Sequence, residues 1–318
     1  MMNGEQQHSR RIEDVSEQTA MQPWVQMECV QLGPGSRIGR LDNVDLGTQQ
    51  LVRERQEVAV QKLGATPSNF CTVSWCTMDS NFRFSELCAE GSEAVFFLPG
   101  NTEFDVYVPS GAQTTYVSFN QEEFLSGMRE LDPEGWDHAP DRLTVLPAAH
   151  QAALENVVAP WFGEEGGTAR LSVEDARRMV LRDVLEALGD SIRKEAAPLD
   201  RLRAYHVCRS ARGYVEDRLA EDRLPTIVEI CREFGVSQRT LQYAFHAYVE
   251  MSPQAYLRMC RLNRVRAALS QPASAETTVT EVASTYGFFH MGKFARYYRL
   301  QFHEPPSKTL ARGLKRVS

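Results

Sequence analysis

One pattern is written twice near the C-terminal end of the chain, and this duplication constrains the fold more than any other feature. The first copy, Thr226–Leu257, reads TIVEICREFGVSQRTLQYAFHAYVEMSPQAYL, and the second, Thr278–Leu310, reads TVTEVASTYGFFHMGKFARYYRLQFHEPPSKTL. Equivalent positions lie 52 residues apart up to the glycine and 53 apart after it, because the second copy has one extra residue. One copy alone is as typical of ordinary helix packing as of a specific function. Two copies, each with a trailing proline (Pro253 and Pro306), indicate a repeated functional unit.

Each copy predicts two short helices separated by a turn. In the first copy, apolar residues recur at helical spacing from Ile227 to Phe234, which predicts a helix with one buried face. Gly235 supplies the left-handed backbone that ends this helix, and Ser237 is a good N-cap for the next one. That next helix has its own apolar face, which includes Leu241. The pattern therefore predicts a helix-turn-helix, whose second helix enters the major groove of DNA.

The C-terminal region resembles the DNA-binding domain of the AraC/XylS family of transcription regulators. The resemblance rests on the phrases SQRTLQYAF, YLRMCRLNRVRAAL and GFFHMGKFARYYRLQFHEPPSKTL, and it covers about the last 115 residues. It implies two helix-turn-helix units in successive major grooves, joined by a long helix, which here is YLRMCRLNRVRAALS. Double-stranded DNA and RNA polymerase are the partners expected of such a regulator.

In the first unit, the candidate DNA-binding residues lie at the start and on the exposed side of the second helix. Ser237 and Gln238 begin this helix, and Arg239, Gln242 and Tyr243 project away from its apolar face. Arginine suits guanine and glutamine suits adenine in the major groove. The resemblance places the base-reading positions on the same three residues.

In the second unit, the resemblance places the base-reading positions on Met291, Gly292, Lys293 and Arg296, and His290 begins the helix. Gly292 has no side chain, and Met291 offers only apolar contact. The second unit is therefore expected to read fewer bases than the first.

Charge is unevenly distributed along the chain. The net charge is −7, but from Arg201 onward 19 Lys and Arg oppose 10 Asp and Glu, whereas the preceding residues carry 16 against 32. A basic surface suits phosphate contacts, and an acidic one repels DNA. DNA contacts are therefore expected only in the C-terminal part, although a solvated basic face without a partner would carry the same charge.

The preceding region, Met21–Phe119, reads as mostly β, with turn signals about every ten residues that are typical of a sandwich or small barrel. Its last three runs, Glu93–Leu98, Glu103–Val108 and Thr114–Phe119, suggest a meander. The phrase LPGNTEFDVYVPSGAQTTYVSFNQEEFL is similar to the sensor domain of AraC-type regulators, especially those that control ethanolamine utilisation. This resemblance implies a cupin-like barrel that binds an effector or mediates dimerisation. The effector residues are unknown, with Trp75 as a candidate pocket wall.

The predicted fold class is therefore α+β. Residues 1–20 lack periodicity and are expected to be a mobile tail. Residues 21–197 are expected to form a cupin-like β-barrel sensor and dimerisation domain with C-terminal helices, and residues 198–318 an all-α DNA-binding domain with two helix-turn-helix units. A helical stripe from Leu181 to Ile192 indicates either packing on the barrel or a dimer seam.

The sequence offers no catalytic motif. It lacks a Walker loop, GxSxG and HExxH, and Met21–Phe119 contains no histidine for a cupin metal site. We therefore expect no enzyme activity, cofactor or metal. The absence of a signal peptide or membrane-spanning apolar run favours a reducing cytoplasm, in which the seven cysteines are core thiols rather than redox sensors.

The leading hypothesis is a sequence-specific transcription regulator, expected to be an effector-responsive activator in the cytoplasm. Its expected partners are the DNA major groove, RNA polymerase, a small-molecule effector and a second copy of the chain, with no membrane. The alternative is an effector-independent dimeric DNA-binding protein whose barrel serves only interaction. An enzyme would require the barrel to turn over a small molecule.

Overall fold

The computed structural model describes residues 7–77, 81–88, 94–147, 149–163, 171–189, 199–221 and 223–317. A sheet-rich part comes first and a helical part follows. The elements of the first part are β1 (Gln7–Ile12), α1 (Val15–Ala20), β2 (Gln26–Gln31), β3 (Gly39–Asp45), β4 (Gln50–Gln56), β5 (Val60–Ala65), β6 (Phe70–Thr77), β7 (Arg83–Phe84), β8 (Leu87–Cys88), β9 (Val95–Leu98), β10 (Glu103–Val108), β11 (Gln113–Asn120), α2 (Gln121–Leu131), α3 (Pro133–Trp136), β12 (Thr144–Leu146), α4 (His150–Val158) and α5 (Val173–Leu188). The helices of the second part are α6 (Leu199–Ala220), α7 (Ile227–Glu233), α8 (Gln238–Val249), α9 (Pro253–Ser270), α10 (Val279–Thr285), α11 (Met291–Phe302) and α12 (Pro306–Val317).

The strands form two facing antiparallel sheets. The first sheet has the order β1-β3-β4-β11-β6-β9-β12, and the second has the order β2-β5-β10-β7-β8. Across the described residues the sheets are open, so the expected closed, cupin-like barrel is replaced by a sandwich. The sequence could not separate the two architectures, because both give short strands with frequent turns.

The predicted meander of the last three strands is wrong. Strands β9 and β11 both pair with β6 in the first sheet, whereas β10 lies between β5 and β7 in the second. The chain therefore crosses between the sheets twice. One crossing follows the turn at Asn101, whose φ of 54° lies in the left-handed region.

The first sheet is covered on both sides, and its strands β6 and β9 are buried on both faces. Its outer face packs against helices α2, α4 and α5, with Val73, Trp75 and Phe97 in that core. Its inner face meets the second sheet through residues such as Phe96 and Leu98. The stripe on α5 packs in the outer core: Val184, Leu185 and Leu188 are buried there and Leu181 is half-buried, whereas Ile192 lies outside the described residues.

The segment expected to be a mobile tail is structured from Gln7 onward. Strand β1 pairs with β3, so that Ile12 faces Gly39 and is buried. Asp14 caps α1 by accepting hydrogen bonds from the backbone of Ser16 and Glu17. Backbone pairing with β3, one buried apolar residue, a helix cap and the buried Gln18, which donates to Glu54, hold this segment, and none of these produces sequence periodicity. Residues 1–6 lie outside the described part.

The outer face of the second sheet docks the helical part of the chain. Val30, Leu32 and Tyr107 join one apolar core with Tyr205, Cys208 and other residues of α6, α8 and α9. A buried ion pair accompanies this packing: Arg212 on α6, 0% exposed, donates to Asp105 on β10, 1% exposed. Buried ion pairs of this kind require close partners to offset their desolvation.

Two further polar groups reinforce the same interface. Gln61 on β5 donates to Asp105 at 2.6 Å. Arg83 on β7 lies 3.8 Å from Asp105, donates to the backbone oxygen of Tyr248 on α8 and stacks 4.8 Å from that residue's ring centroid. The second sheet therefore contacts the first helix-turn-helix region through both apolar and charged groups.

The end of β2 contacts two helices of the helical part at once. Asn263 on α9 donates to the backbone oxygen of Gln31 at 3.1 Å, and Arg266 donates to the Gln31 side chain at 3.2 Å. Gln301 on α11 donates to the same backbone oxygen at 3.2 Å, and the backbone carbonyl of Gln301 accepts from the backbone N–H of Gly35 at 2.7 Å.

The described residues contain no helix long and apolar enough to cross a membrane.

Candidate nucleic-acid interface

The first helix-turn-helix unit forms as its residue pattern predicts. Thr226 and Glu229 make a reciprocal capping box at the start of α7. Donation from the backbone and hydroxyl of Thr226 lowers the pKa of the Glu229 carboxyl. Gly235 ends the first helix with a φ of +60°, and the Ser237 hydroxyl accepts from the backbone of Thr240 to begin α8.

The candidate residues of the first unit share one exposed side of α8. Leu241 and Phe245 are buried in the core, whereas the opposite side of the helix faces solvent. The exposed residues there are Ser237, Gln238, Arg239, Gln242 and Tyr243, with Tyr243 64% exposed. A large, mostly exposed aromatic ring beside an arginine and a glutamine is an arrangement that suits base edges.

The second unit repeats the glycine turn of the first unit but not the side-chain cap at the start of its second helix. Gly287 has a φ of +76°, and the helix that follows begins at His290, which makes no capping hydrogen bond with its side chain. The extra residue of this copy changes the turn: Phe288 is buried in the core, and Phe289 is 76% exposed. Sequence reasoning did not single out Phe289. The one-residue insertion was the available signal, because it must push one of two adjacent aromatic residues to the surface.

The candidate residues of the second unit divide into two groups. His290, Gly292, Lys293 and Arg296 are exposed. Met291 is half-buried against the core of this unit, so less of its side chain faces solvent than the sequence suggested. A Cβ added to Gly292 would meet nothing within 4 Å, so this position leaves α11 open to close backbone approach.

The long helix α9 is shared by both units. Tyr256 and Cys260 belong to the core of the first unit, and Leu262, Val265 and Leu269 belong to the core of the second. Each core is built around a face of the same helix. The relative placement of α8 and α11, the second helix of each unit, therefore depends on α9 remaining a continuous helix.

Arginine side chains of α9 also hold the second unit. Arg258 stacks 4.8 Å from the ring centroid of Tyr297, and Arg261 stacks 5.1 Å from that of Phe288. Burial, followed by the nearby charge of Arg258, lowers the pKa of Arg261. These arginines therefore contact protein aromatic rings as well as adding positive charge.

Trp75, the candidate effector-binding residue, has a structural role on the helix-facing side of the first sheet. It borders a cavity between the sheets, but its indole packs in the outer core with α4 and α5. Its ring nitrogen donates to Glu155 at 2.9 Å. Alternation along β6 correctly placed Trp75 on one face with Cys71 and Val73. That face is the one covered by the helices, not the one toward the second sheet.

Comparison with known proteins supports the interpretation of the C-terminal region as a helix-turn-helix domain. A family model described as a helix-turn-helix domain matches residues 230–312. The XylDLEGF operon transcriptional activator 2 of Pseudomonas putida is 35% identical over 113 residues, covering 32% of this chain and 72% of that protein. Activator 3 of the same operon and organism is 39% identical over 100 residues, covering 31% of this chain and 29% of the relative.

Among solved structures, the chain is similar to a probable AraC family transcriptional regulator from Rhodopseudomonas palustris CGA009. The identity is 36% and the TM-score 0.32, with 34% of this chain and 97% of the other covered. These matches span a third of the present chain, and the match to activator 3 spans under a third of that relative's length.

Proposed function

Because the chain belongs to the AraC/XylS family of transcription regulators, we propose that it binds a specific DNA site through two helix-turn-helix units and activates transcription there. The observation that carries this proposal is the exposed set Arg239, Gln242 and Tyr243 on α8, repeated by Lys293 and Arg296 on α11. Each set stands on a packed helix pair, and both pairs share α9. The relatives are named as transcriptional activators, which supports the same direction of regulation here.

In this proposal the two second helices occupy consecutive major grooves on one side of the DNA. Their spacing would be about one DNA turn, roughly 34 Å. The first unit would contribute more base contacts, since Gly292 has no side chain and Met291 is half-buried. Phe289 would add an apolar contact beside the second unit, for example to a thymine methyl group.

The test uses DNA sequences that the purified full-length protein selects from a random pool. Replacing Arg239 with Ala is expected to weaken binding to the selected site by about 1–3 kcal/mol and to relax base preference at one position. Arg182→Ala is the matched control, since Arg182 is exposed on α5 in the sheet-rich part. Equal weakening of selected and scrambled DNA by Arg239→Ala would make Arg239 a phosphate contact only.

We further propose that a small-molecule effector regulates this activity and that RNA polymerase is the partner of the bound protein. A second copy of the chain is an additional proposed partner. The competing proposal is an effector-independent dimer whose sheet-rich part serves only interaction. Transcription from the selected site, measured with and without metabolites of the neighbouring genes' pathway, separates the two, because only the first predicts a metabolite-dependent change.

A further inference from the structure

Three arginines lie side by side on one face of the first sheet. The strand register places Arg11 of β1 directly opposite Arg40 of β3, and Arg40 directly opposite Arg55 of β4. Residues that face each other on neighbouring strands share a face of the sheet, and neighbouring strands are about 4.8 Å apart. These three exposed residues therefore form a line about 10 Å long, the arginine row.

The arginine row is unfavourable for the sheet itself, because like charges directly opposite each other on neighbouring strands are destabilising. Charged residues often protect an edge strand from unwanted pairing. That role accounts for Arg11 on the edge strand β1, but not for Arg40 and Arg55, since β3 and β4 are interior strands. The alignment of all three is therefore not explained by edge protection.

One ion pair compensates the row in the described part of the chain. Asp42 accepts from Nε of Arg40 at 3.0 Å, and 55% of the Arg40 side chain is still exposed. Two further carboxylates, Glu13 and Glu57, lie just beyond the ends of β1 and β4, and among the described residues neither forms an ion pair with the row. The arginines therefore retain positive charge for an acidic partner.

Neighbouring side chains orient two of the guanidinium groups and leave their outer ends available. Nε of Arg40 is held by Asp42, and Nε of Arg55 donates to the side-chain oxygen of Gln113 at 2.7 Å. The terminal nitrogens of both arginines donate no hydrogen bond to the described residues. A guanidinium has five N–H groups, so four remain on each for an anionic partner such as a carboxylate.

Helices of this chain cover only part of the face that carries the row. Val44 lies four residues from Arg40 on β3, and Leu51 lies four residues from Arg55 on β4, so all four residues share this face. Val44 and Leu51 pack in the core that α2, α4 and α5 cover. The arginine row is therefore the polar, uncovered continuation of a face that already accepts helices.

The length of the row fits carboxylates on a helix better than carboxylates on a strand. Side chains at i and i+4 of a helix lie about 5–6 Å apart, so those at i, i+4 and i+8 span about 11 Å. Alternate residues of a strand lie about 6.7 Å apart, so three of them span about 13 Å. The row is about 10 Å long, which is closer to the helical spacing.

The sheet-rich part contacts α8 and α11 at the ends opposite to their candidate base-contacting residues. Those residues lie at the starts of the two helices. Arg83 donates to the backbone oxygen of Tyr248 near the end of α8, and Gln301 near the end of α11 donates to the backbone oxygen of Gln31. The arginine row therefore belongs to the part of the molecule that lies away from the proposed DNA, which favours an acidic protein over nucleic acid as its partner.

From this arrangement we propose that the arginine row docks an acidic α-helix of a partner protein, with carboxylates at i, i+4 and i+8 paired to Arg11, Arg40 and Arg55. The docked helix crosses β1, β3 and β4 and continues the helical layer on this face. Each exposed ion pair contributes little alone, so three in register are needed for measurable affinity. The inference goes beyond the proposed function, and the binding itself is measured without DNA.

The test is fluorescence anisotropy of the full-length protein with three labelled, alanine-based peptides of about 18 residues, which is long enough to be helical. The first peptide has three glutamates at i, i+4 and i+8, the second has them on different sides of the helix, and the third has glutamine in their place. At about 20 mM salt the aligned peptide is expected to bind about ten-fold more tightly than the glutamine peptide and about three-fold more tightly than the scattered one. These differences should shrink at about 300 mM salt. No binding by the aligned peptide, or equal binding by all three, overturns the proposal.

Variants locate the surface. In Arg11→Gln/Arg40→Gln/Arg55→Gln the aligned peptide should bind no more than about two-fold more tightly than the glutamine peptide. The matched control, which should keep the preference, replaces three exposed arginines of helices α2 and α5, Arg129→Gln/Arg178→Gln/Arg182→Gln. Because the row opposes like charges, its variant should unfold at an unchanged or slightly higher urea concentration. An unchanged peptide preference, or a marked fall in the urea midpoint of the row variant, would contradict a docking role.

A DNA measurement tests the other possible partner and separates this inference from the proposed function. The row variant should bind selected and scrambled DNA as the wild type does. Weaker binding to both by the row variant, with the control variant unaffected, would make the row a phosphate contact and overturn the acidic-helix proposal. Binding of the aligned peptide by a protein without specific DNA binding would defeat the proposed function alone. Specific DNA binding by a protein that does not bind this peptide would defeat the docking surface alone.

Discussion

Ser237 and His290 occupy equivalent positions at the starts of the two second helices, but only Ser237 caps its helix. The Ser237 hydroxyl accepts from the backbone of Thr240, whereas the His290 side chain makes no capping bond. Ser237→Ala is therefore expected to lower the free energy of unfolding by about 1 kcal/mol. His290→Ala is the internal control and should change it by a few tenths of a kcal/mol, as measured by urea unfolding. Equal losses of stability in the two variants would show that the Ser237 cap does not account for the effect.

At the residue scale, sequence reasoning found the exposed residues of α8 because the helical period separates them from Leu241 and Phe245. It could not find Asp105 or Arg212, since a lone charged residue in a sequence is usually solvated. Their burial depends on the second sheet docking against α6, 107 residues away along the chain. The role of Trp75 was also out of reach, because alternation shows which residues share a face but not what covers that face.

At the element scale, helix α9 couples the two DNA-binding units. Val265 is buried within it, and a proline at this position would remove one backbone hydrogen bond and clash with the preceding turn. Val265→Pro is expected to cost about 3 kcal/mol or more and to abolish binding to the selected site. Val265→Ala keeps the helix and should retain protection of two consecutive grooves in a footprint. A Pro variant that still protects both grooves would show that α9 does not set their spacing.

A buried carboxylate, Glu304, lies between α11 and α12 and accepts hydrogen bonds from α12. Glu304 accepts from Arg312 at 2.9 Å and from the Thr309 hydroxyl at 2.8 Å, and Tyr298 donates to Thr309 at 2.8 Å. Burial of Glu304 works to raise its pKa, but these donors prevail and lower it below its ordinary value of 4.5. The ionised form therefore stabilises the fold above about pH 4.5, and this stabilisation is lost as the pH falls through the lowered pKa.

This pH dependence is checked by comparing the wild type with Glu304→Gln in urea unfolding from pH 7 down to pH 3. The wild type should be more stable near neutrality, and the difference should shrink as the pH falls. The position equivalent to Glu304 in the first copy is Met251, so only the second unit should show the effect. A difference that stays constant with pH would mean that the carboxylate contributes through packing alone.

Element types were predictable from the sequence where local pattern decides them. The paired helices follow from the 3.6-residue period, the two glycines and Ser237. Which sheet each strand joins was not predictable: β9, for example, is buried on both faces and therefore lacks a diagnostic alternation. The order of strands in such sheets is decided by long-range pairing that no local window contains.

At the scale of the whole molecule, the two parts of the chain are joined by a buried charge pair rather than by a linker alone. Asp105→Ala would leave Arg212, 0% exposed, without its carboxylate. We expect a loss of about 3–5 kcal/mol in the free energy of unfolding. The double variant Asp105→Leu/Arg212→Met removes both charges and should recover most of that loss. Similar losses in the single and double variants would contradict a role for the unpaired charge.

Sequence composition alone suggests two domains, because the charge changes sign near the predicted boundary between residues 197 and 198. The docked arrangement was not predictable, since its contacts come from alternate residues of β2, β5 and β10 whose other neighbours line the cavity. Each of these strands has one face toward the cavity and the other toward the helical part. Both faces contain apolar and polar residues, so the sequence does not distinguish them.

The end of β2 has a consequence for genetics. The backbone of Gln31 accepts hydrogen bonds from Asn263 on α9 and from Gln301 on α11, so one peptide group contacts a helix shared by both units and a helix of the second. In a selection for variants that act without an inducer, substitutions should accumulate at Gln31, Gln301 and the glycines of the following turn, far from the cavity. If the proposed effector regulates the protein, such a substitution should act even in a chain that also carries a substitution in the effector site, because weaker contact with the helices lies downstream of effector binding.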